Sequence, residues 1–126
     1  MTEKFRALLV TKDGDRQSAA VTELTDADLM EGDVTVAVEH STMNYKDGLA
    51  ITGKAPIIRK FPLIPGIDLA GRVLRSNDSR FQAGDRVVLN GYGLGEVHHG
   101  GYAERARVKG DWLIRLPDNI STAQAM

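Results

Sequence analysis

The chain has 126 residues, enough to bury one hydrophobic core without covalent staples and too few for a second complete domain. It carries 16 Lys and Arg against 17 Asp and Glu, so there is no electrostatic case for binding nucleic acid or an anionic membrane. There is no cysteine, which excludes disulfides and thiolate chemistry and removes the commonest ligand of structural zinc.

At the amino end the apolar run Ala7 to Val10 is too short for a signal segment or a membrane span, and a cytoplasmic location is expected. Phe5 to Val10, Ala19 to Leu24 and Val34 to Val38 read as short strands, each bounded by turn residues such as Lys12-Asp13-Gly14-Asp15 and Glu31-Gly32-Asp33. One short internal helix is predicted at Tyr45 to Ile51, with Asn44 as its cap. Four more strands follow at Ile67 to Leu74, Arg86 to Leu89, Tyr102 to Val108 and Trp112 to Leu116. The pattern predicts a mainly β, α+β domain built as a closed or partly open barrel of short strands. After Pro117, Ser121 is placed to cap a helix that has barely one turn, and a single turn is unfavourable alone. A longer protein is therefore expected, with Ile114, Leu116, Ile120 and Met126 left as exposed apolar surface.

Two glycine motifs are near misses. Gly48 to Ala55 has P-loop spacing, yet Ala55 stands where a magnesium-binding hydroxyl is needed and Pro56 follows it. Gly91-Tyr92-Gly93-Leu94-Gly95 lacks the third glycine of a dinucleotide fingerprint. The histidines are His40 and the adjacent pair His98-His99, whose side chains point to opposite faces of an extended segment. No metal site is expected, and the pair reads as a polar loop beside a cleft. Lys54, Arg59 and Lys60 form a cationic stretch that either meets phosphates or is simply solvated, the usual state of surface cations.

Chemistry concentrates in Ser41-Thr42-Met43-Asn44-Tyr45-Lys46-Asp47, where a strand gives way to a helix. Tyr45 can donate a proton or a hydrogen bond, Asn44 can orient a carbonyl or carboxamide, and Asp47 can fix Asn44 or Lys46. Capping alone also explains Asn44 and Asp47. Phe61 to Asp68 is an apolar, proline-stiffened run, in which Ile64, Pro65 and Asp68 either floor a substrate pocket or form a core connection with Asp68 paired to Arg72 or a backbone amide.

Asn44 to Gly53, Phe61 to Gly71 and Ala83 to Val88 together resemble the medium-chain dehydrogenase/reductase superfamily. Gly100-Gly101-Tyr102-Ala103-Glu104 through Leu113 looks like its acrylyl-CoA reductase and quinone oxidoreductase branch. The resemblance covers essentially the whole chain. It implies a GroES-like catalytic domain over 1–116 and, at 117–126, the start of a connection to an NADPH-binding Rossmann domain absent from this sequence. Gly66-Ile67-Asp68 replaces the Gly-His-Glu of zinc-dependent relatives, which implies the zinc-independent branch. The implied reaction is NADPH-dependent reduction of the C=C bond of an α,β-unsaturated thioester such as acrylyl-CoA, in a homodimer. Asn44, Tyr45 and Asp47 would be the catalytic residues, Tyr45 and Asn44 would contact the cofactor, and Ile64, Pro65 and Asp68 the substrate. The alternatives are a quinone as acceptor or a non-catalytic GroES-like binding or oligomerisation module. The chain by itself is expected to be inactive.

Overall fold

The computed structural model describes residues 3–126. The chain opens with a hairpin of β1 (Lys4–Asp13) and β2 (Arg16–Thr25), turned at Gly14-Asp15 with Gly14 at φ 61°. This hairpin is longer than the predicted strands. Thr11-Lys12-Asp13 and Arg16-Gln17-Ser18 are polar and give no alternation to read, but the backbone ladder runs through them to the turn.

After a 3-10 turn at Asp26–Asp28 come β3 (Val34–His40), the helix α1 (Tyr45–Thr52), β4 (Asp68–Ser76), β5 (Arg86–Asn90), β6 (Arg105–Val108) and β7 (Ile114–Arg115). The last five strands form one antiparallel sheet in the order β6-β3-β4-β5-β7. Val34, Val36, Leu69, Val73, Val87, Leu89, Ala106 and Val108 cover one face of it with buried side chains, joined by Phe81, Leu94 and Leu113. Each fully buried Val or Leu is worth about 1.5–3 kcal/mol, so this face rather than helix propensity holds the fold.

The hairpin is stitched to this body by backbone bonds from Leu8 N to Tyr102 O at 2.9 Å and between Val10 and Leu63 at 2.8 and 2.9 Å. Phe5, Ala7, Leu29 and Ile64 fill the space beneath it, and Val10, Ala50, Ile58 and Leu63 join it to α1. Gln17, near the hairpin tip, donates its side-chain amide to the carbonyls of Ala50 at 2.6 Å and Ile51 at 3.2 Å. Those are carbonyls at the helix end that lack helical partners. Gly53 then closes α1 in the left-handed conformation, φ 74°. The two sheets keep open edges, so the barrel is partly open.

Two predicted strands begin late. Tyr102 to Val108 is regular only from Arg105, because Gly100 and Gly101 first cross the Pro65–Asp68 backbone: a Cβ on Gly100 would lie 2.1 Å from Gly66 O, and one on Gly101 2.3 Å from Asp68 O. Trp112 to Leu116 begins instead as a 3-10 turn, Gly110–Trp112, leaving two residues for β7. The carboxyl end also departs from expectation. Leu116, Ile120, Ala125 and Met126 pack on Ala70 and Val88, on the sheet face opposite the main core, and of the four residues expected to lie bare only Ile114 is strongly exposed. The fold-back is held by the Arg86 guanidinium on the carbonyls of Pro117 and Ile120 and by Thr122 donating to Glu39 at 2.7 Å. Ser121 and Gln124 bond each other reciprocally, as a cap should, around a single turn. Among the described residues no helix is long and apolar enough to cross a membrane.

Candidate active site

β3 ends at His40, and after three residues outside regular structure Asn44, extended at φ −110° and ψ 160°, starts α1. Asp47 lies in the first helical turn with a side chain buried to 1% exposure. Its Oδ2 accepts the Asn44 backbone N–H at 3.0 Å and the Asn44 amide at 3.1 Å, and its Oδ1 accepts the Ile67 N–H at 3.1 Å. The carboxylate thus ties the helix start to the loop entering β4, where backbone donors and the helix dipole stand in for a cation.

Asp68, the first residue of β4, completes the cluster. Its Oδ2 accepts from Thr42 Oγ1 at 2.9 Å and Asn44 Nδ2 at 3.2 Å, while Oδ1 accepts from Asn90 Nδ2 at 2.9 Å, its register partner on β5. Among the described residues neither Arg72, which bonds Glu39, nor a backbone amide is its partner. Asn44 Nδ2 also reaches Thr42 Oγ1 at 2.8 Å, so one amide is held between two carboxylates and a hydroxyl. Tyr102 donates to the Thr42 carbonyl at 2.6 Å. Burial, then the charges of Asp47 and Asp68, pushes the Tyr102 phenol well above the ordinary tyrosine range, so it stays a donor.

Asn44, Asp47 and Asp68 are therefore brought together. Tyr45 stands beside them, a residue 85% exposed, next to Met43 at 72%, while Lys46 pairs with Glu96. Ile64 and Pro65 are fully buried, Ile64 against Phe5, Ala7 and Leu29, so they back the site from within the core and offer no open floor. Thr42, Asn90 and Tyr102 were not singled out from the sequence. Asn90 and Tyr102 reach the cluster through strand register and the glycine crossing, which no local pattern encodes.

Residues 30–118 match the alcohol dehydrogenase GroES-like domain. The chain belongs to that family. Within it, the acrylyl-CoA reductase AcuI of Ruegeria pomeroyi is 52% identical over 124 residues, and YhfP of Bacillus subtilis, named as a candidate quinone oxidoreductase, is 45% identical over 126. These alignments take in 97% and 100% of this GroES-like chain and 38% of each relative, so the chain spans under two fifths of their length. The crystal structure of the yhdH oxidoreductase of Salmonella enterica in complex with NADP superposes with a TM-score of 0.93 at 55% identity, covering 96% of this chain and 37% of that one.

The histidine pair of this GroES-like domain is buried rather than displayed on a polar loop. His98 Nε2 donates to the Arg107 carbonyl at 2.7 Å with its ring edge-on to Trp112, and His99 Nδ1 accepts the Ile64 N–H at 3.1 Å. Among the described residues no group of three His, Cys, Asp or Glu side chains is placed to hold a metal ion. Burial, as the largest cause, depresses both imidazoles below the usual value of 6.5. The unfolded chain takes up protons near pH 6.5 that the folded chain refuses, so the stability of the neutral rings is complete above that value and lost as the pH falls below it. Urea denaturation is expected to show lower stability near pH 5.5 than near pH 7.5, with a shallower slope in a His98→Gln, His99→Asn double variant. A slope unchanged by the double variant would place the acid sensitivity elsewhere.

Proposed function

We propose that this chain is the substrate-side domain, over 1–116, of an NADPH-dependent oxidoreductase that reduces the C=C bond of an α,β-unsaturated thioester such as acrylyl-CoA, with 117–126 leading toward a dinucleotide-binding domain in a homodimer. The observation that carries it is the Asn44–Asp47–Asp68 cluster beside exposed Tyr45 and Met43, in a chain similar over 97% of its length to an acrylyl-CoA reductase. The donors present suit only one end of the cofactor. Asn44 and the Tyr45 hydroxyl can hydrogen-bond an uncharged nicotinamide carboxamide, whereas Asp47 and Asp68 would repel phosphates, which belong elsewhere.

When bound, NADPH supplies the hydride that goes to the β-carbon. Asn44, immobilised by both carboxylates, orients the reacting groups, and Asp47 holds Asn44. Tyr45 would cover the nicotinamide end and would relay a proton to the α-carbon, with water as the alternative source. Asp68 fixes the substrate side of the cluster, backed by the buried Ile64 and Pro65. A quinone is the second reading, favoured by the similarity to YhfP.

A chimera in which this chain replaces the matching part of Ruegeria pomeroyi AcuI tests the proposal. It is expected to oxidise NADPH in strict dependence on acrylyl-CoA and, with deuterated cofactor, to label the β-carbon. The 126-residue chain alone is expected to show no turnover. NADPH oxidation with quinones but not with acrylyl-CoA would favour the second reading, and activity with neither would sink both.

A further inference from the structure

The loop leaving β5 is built to display one aromatic ring. Tyr92 takes φ 54°, a left-handed conformation rare for a bulky side chain, between Gly91 at 82° and Gly93 at 83°. Strain of this kind persists only where the surroundings impose it. The result is an outward-facing ring, 61% exposed, stacked at 5.8 Å and 17° on Trp112, which is itself braced edge-on by His98 at 5.1 Å. One face of Tyr92 is thus supported by a second aromatic and its outer face is open.

A cation lies at the same ring pair. The Lys109 ammonium lies 5.7 Å from the Trp112 ring centroid. The Arg59 N–H bonds Glu96 O at 2.8 Å, which brings the backbone of the segment before Lys60 against this loop. The nearby carboxylates are engaged elsewhere, Glu96 with Lys46 and Asp111 with Arg80. The ledge also borders the candidate site, since Asn90, two residues before Tyr92, holds Asp68.

From this geometry we infer that Tyr92, supported by Trp112 with the Lys109 ammonium beside that ring, is a binding ledge for a phosphorylated adenosine: the base stacks on the outer face of Tyr92 and Lys109 takes a phosphate. Two molecules carry that chemistry, a coenzyme A thioester and NADPH. The inference rests on the proposed reductase reading only in making these the candidates.

Trp112 is the single tryptophan and reports binding directly. Titrations of the 126-residue chain with coenzyme A, NADP⁺ and inorganic pyrophosphate, followed by Trp112 emission, separate the sources. Coenzyme A is expected to quench saturably. Tyr92→Asn, which suits a left-handed position, should weaken its Kd at least about fivefold through loss of stacking, and Lys109→Gln should weaken it and flatten its salt dependence. Saturation by NADP⁺ in preference, lost in the same variants, would keep the ledge and assign it to the cofactor. Pyrophosphate reproducing the whole effect with Tyr92→Asn unchanged, or no saturable quench at all, would overturn the inference. Because the readout is binding by this chain alone, an inactive chimera would leave a positive result standing.

Discussion

Asp47→Asn should destabilise the chain by about 2–4 kcal/mol, although it replaces a single oxygen by an NH₂ group. Asp47 is 1% exposed and accepts three hydrogen bonds, from the backbone N–H groups of Asn44 and Ile67 and from the Asn44 amide. An asparagine cannot accept all three. Whichever way its amide turns, an NH₂ faces a backbone donor, and each buried donor left unmet costs about 1–3 kcal/mol. The helix N-terminus also loses its anion. Denaturant unfolding checks this, and Asp47→Glu, which keeps the charge but overfills the space, should be damaging as well. A loss below about 1 kcal/mol for Asp47→Asn would show that the cluster tolerates an uncharged member and that the carboxylate is kept for chemistry rather than for the fold.

In the chimera, Asn44→Ala is expected to lower kcat by about 10²-fold or more, a larger loss than that of Tyr45→Phe, because orientation is lost together with the amide that joins both carboxylates. Asn44 contacts Thr42, Asp47 and Asp68, so its removal also leaves two carboxylates facing each other without the shared donor. Tyr45→Phe removes one hydroxyl from an exposed ring. If that hydroxyl only lines the nicotinamide end, the loss is confined to cofactor affinity and amounts to a single neutral hydrogen bond, about 0.5–1.5 kcal/mol. A drop in kcat of about 10²-fold in Tyr45→Phe at unchanged NADPH affinity would instead assign it the proton. Wild-type kcat and KM in both variants would remove the segment from the active site.

Local patterns carried much of the architecture. Alternation in Val34-Thr35-Val36-Ala37-Val38 reads directly as a strand with one buried face, and Asn44 with Asp47 three residues later reads as a helix start. What remained hidden is non-local. Asp68 and Asn90 meet because β4 and β5 pair in one particular register, and Tyr102 meets Thr42 across sixty positions because Gly100 and Gly101 let two backbones cross. The buried carboxyl end was missed for a similar reason. Leu116, Ile120 and Met126 have a surface to cover only once the outer face of the sheet, Ala70 and Val88, is known to be apolar. His98 and His99 were misplaced on a polar loop because a histidine's burial depends on which backbone groups it finds, here Arg107 O and Ile64 N.

The contact of Gln17 with the last carbonyls of α1 makes the hairpin a ruler. Successive strand residues face opposite sides, so losing one residue from each arm between Gln17 and the body would turn its amide away from the helix, while losing two would restore the facing side one pleat short of the carbonyls. Changes of length beyond Gln17, at Gly14-Asp15, leave that distance untouched. Variation in the tip is therefore free, whereas the stem is gauged to the helix whose opposite end carries Asn44 and Asp47.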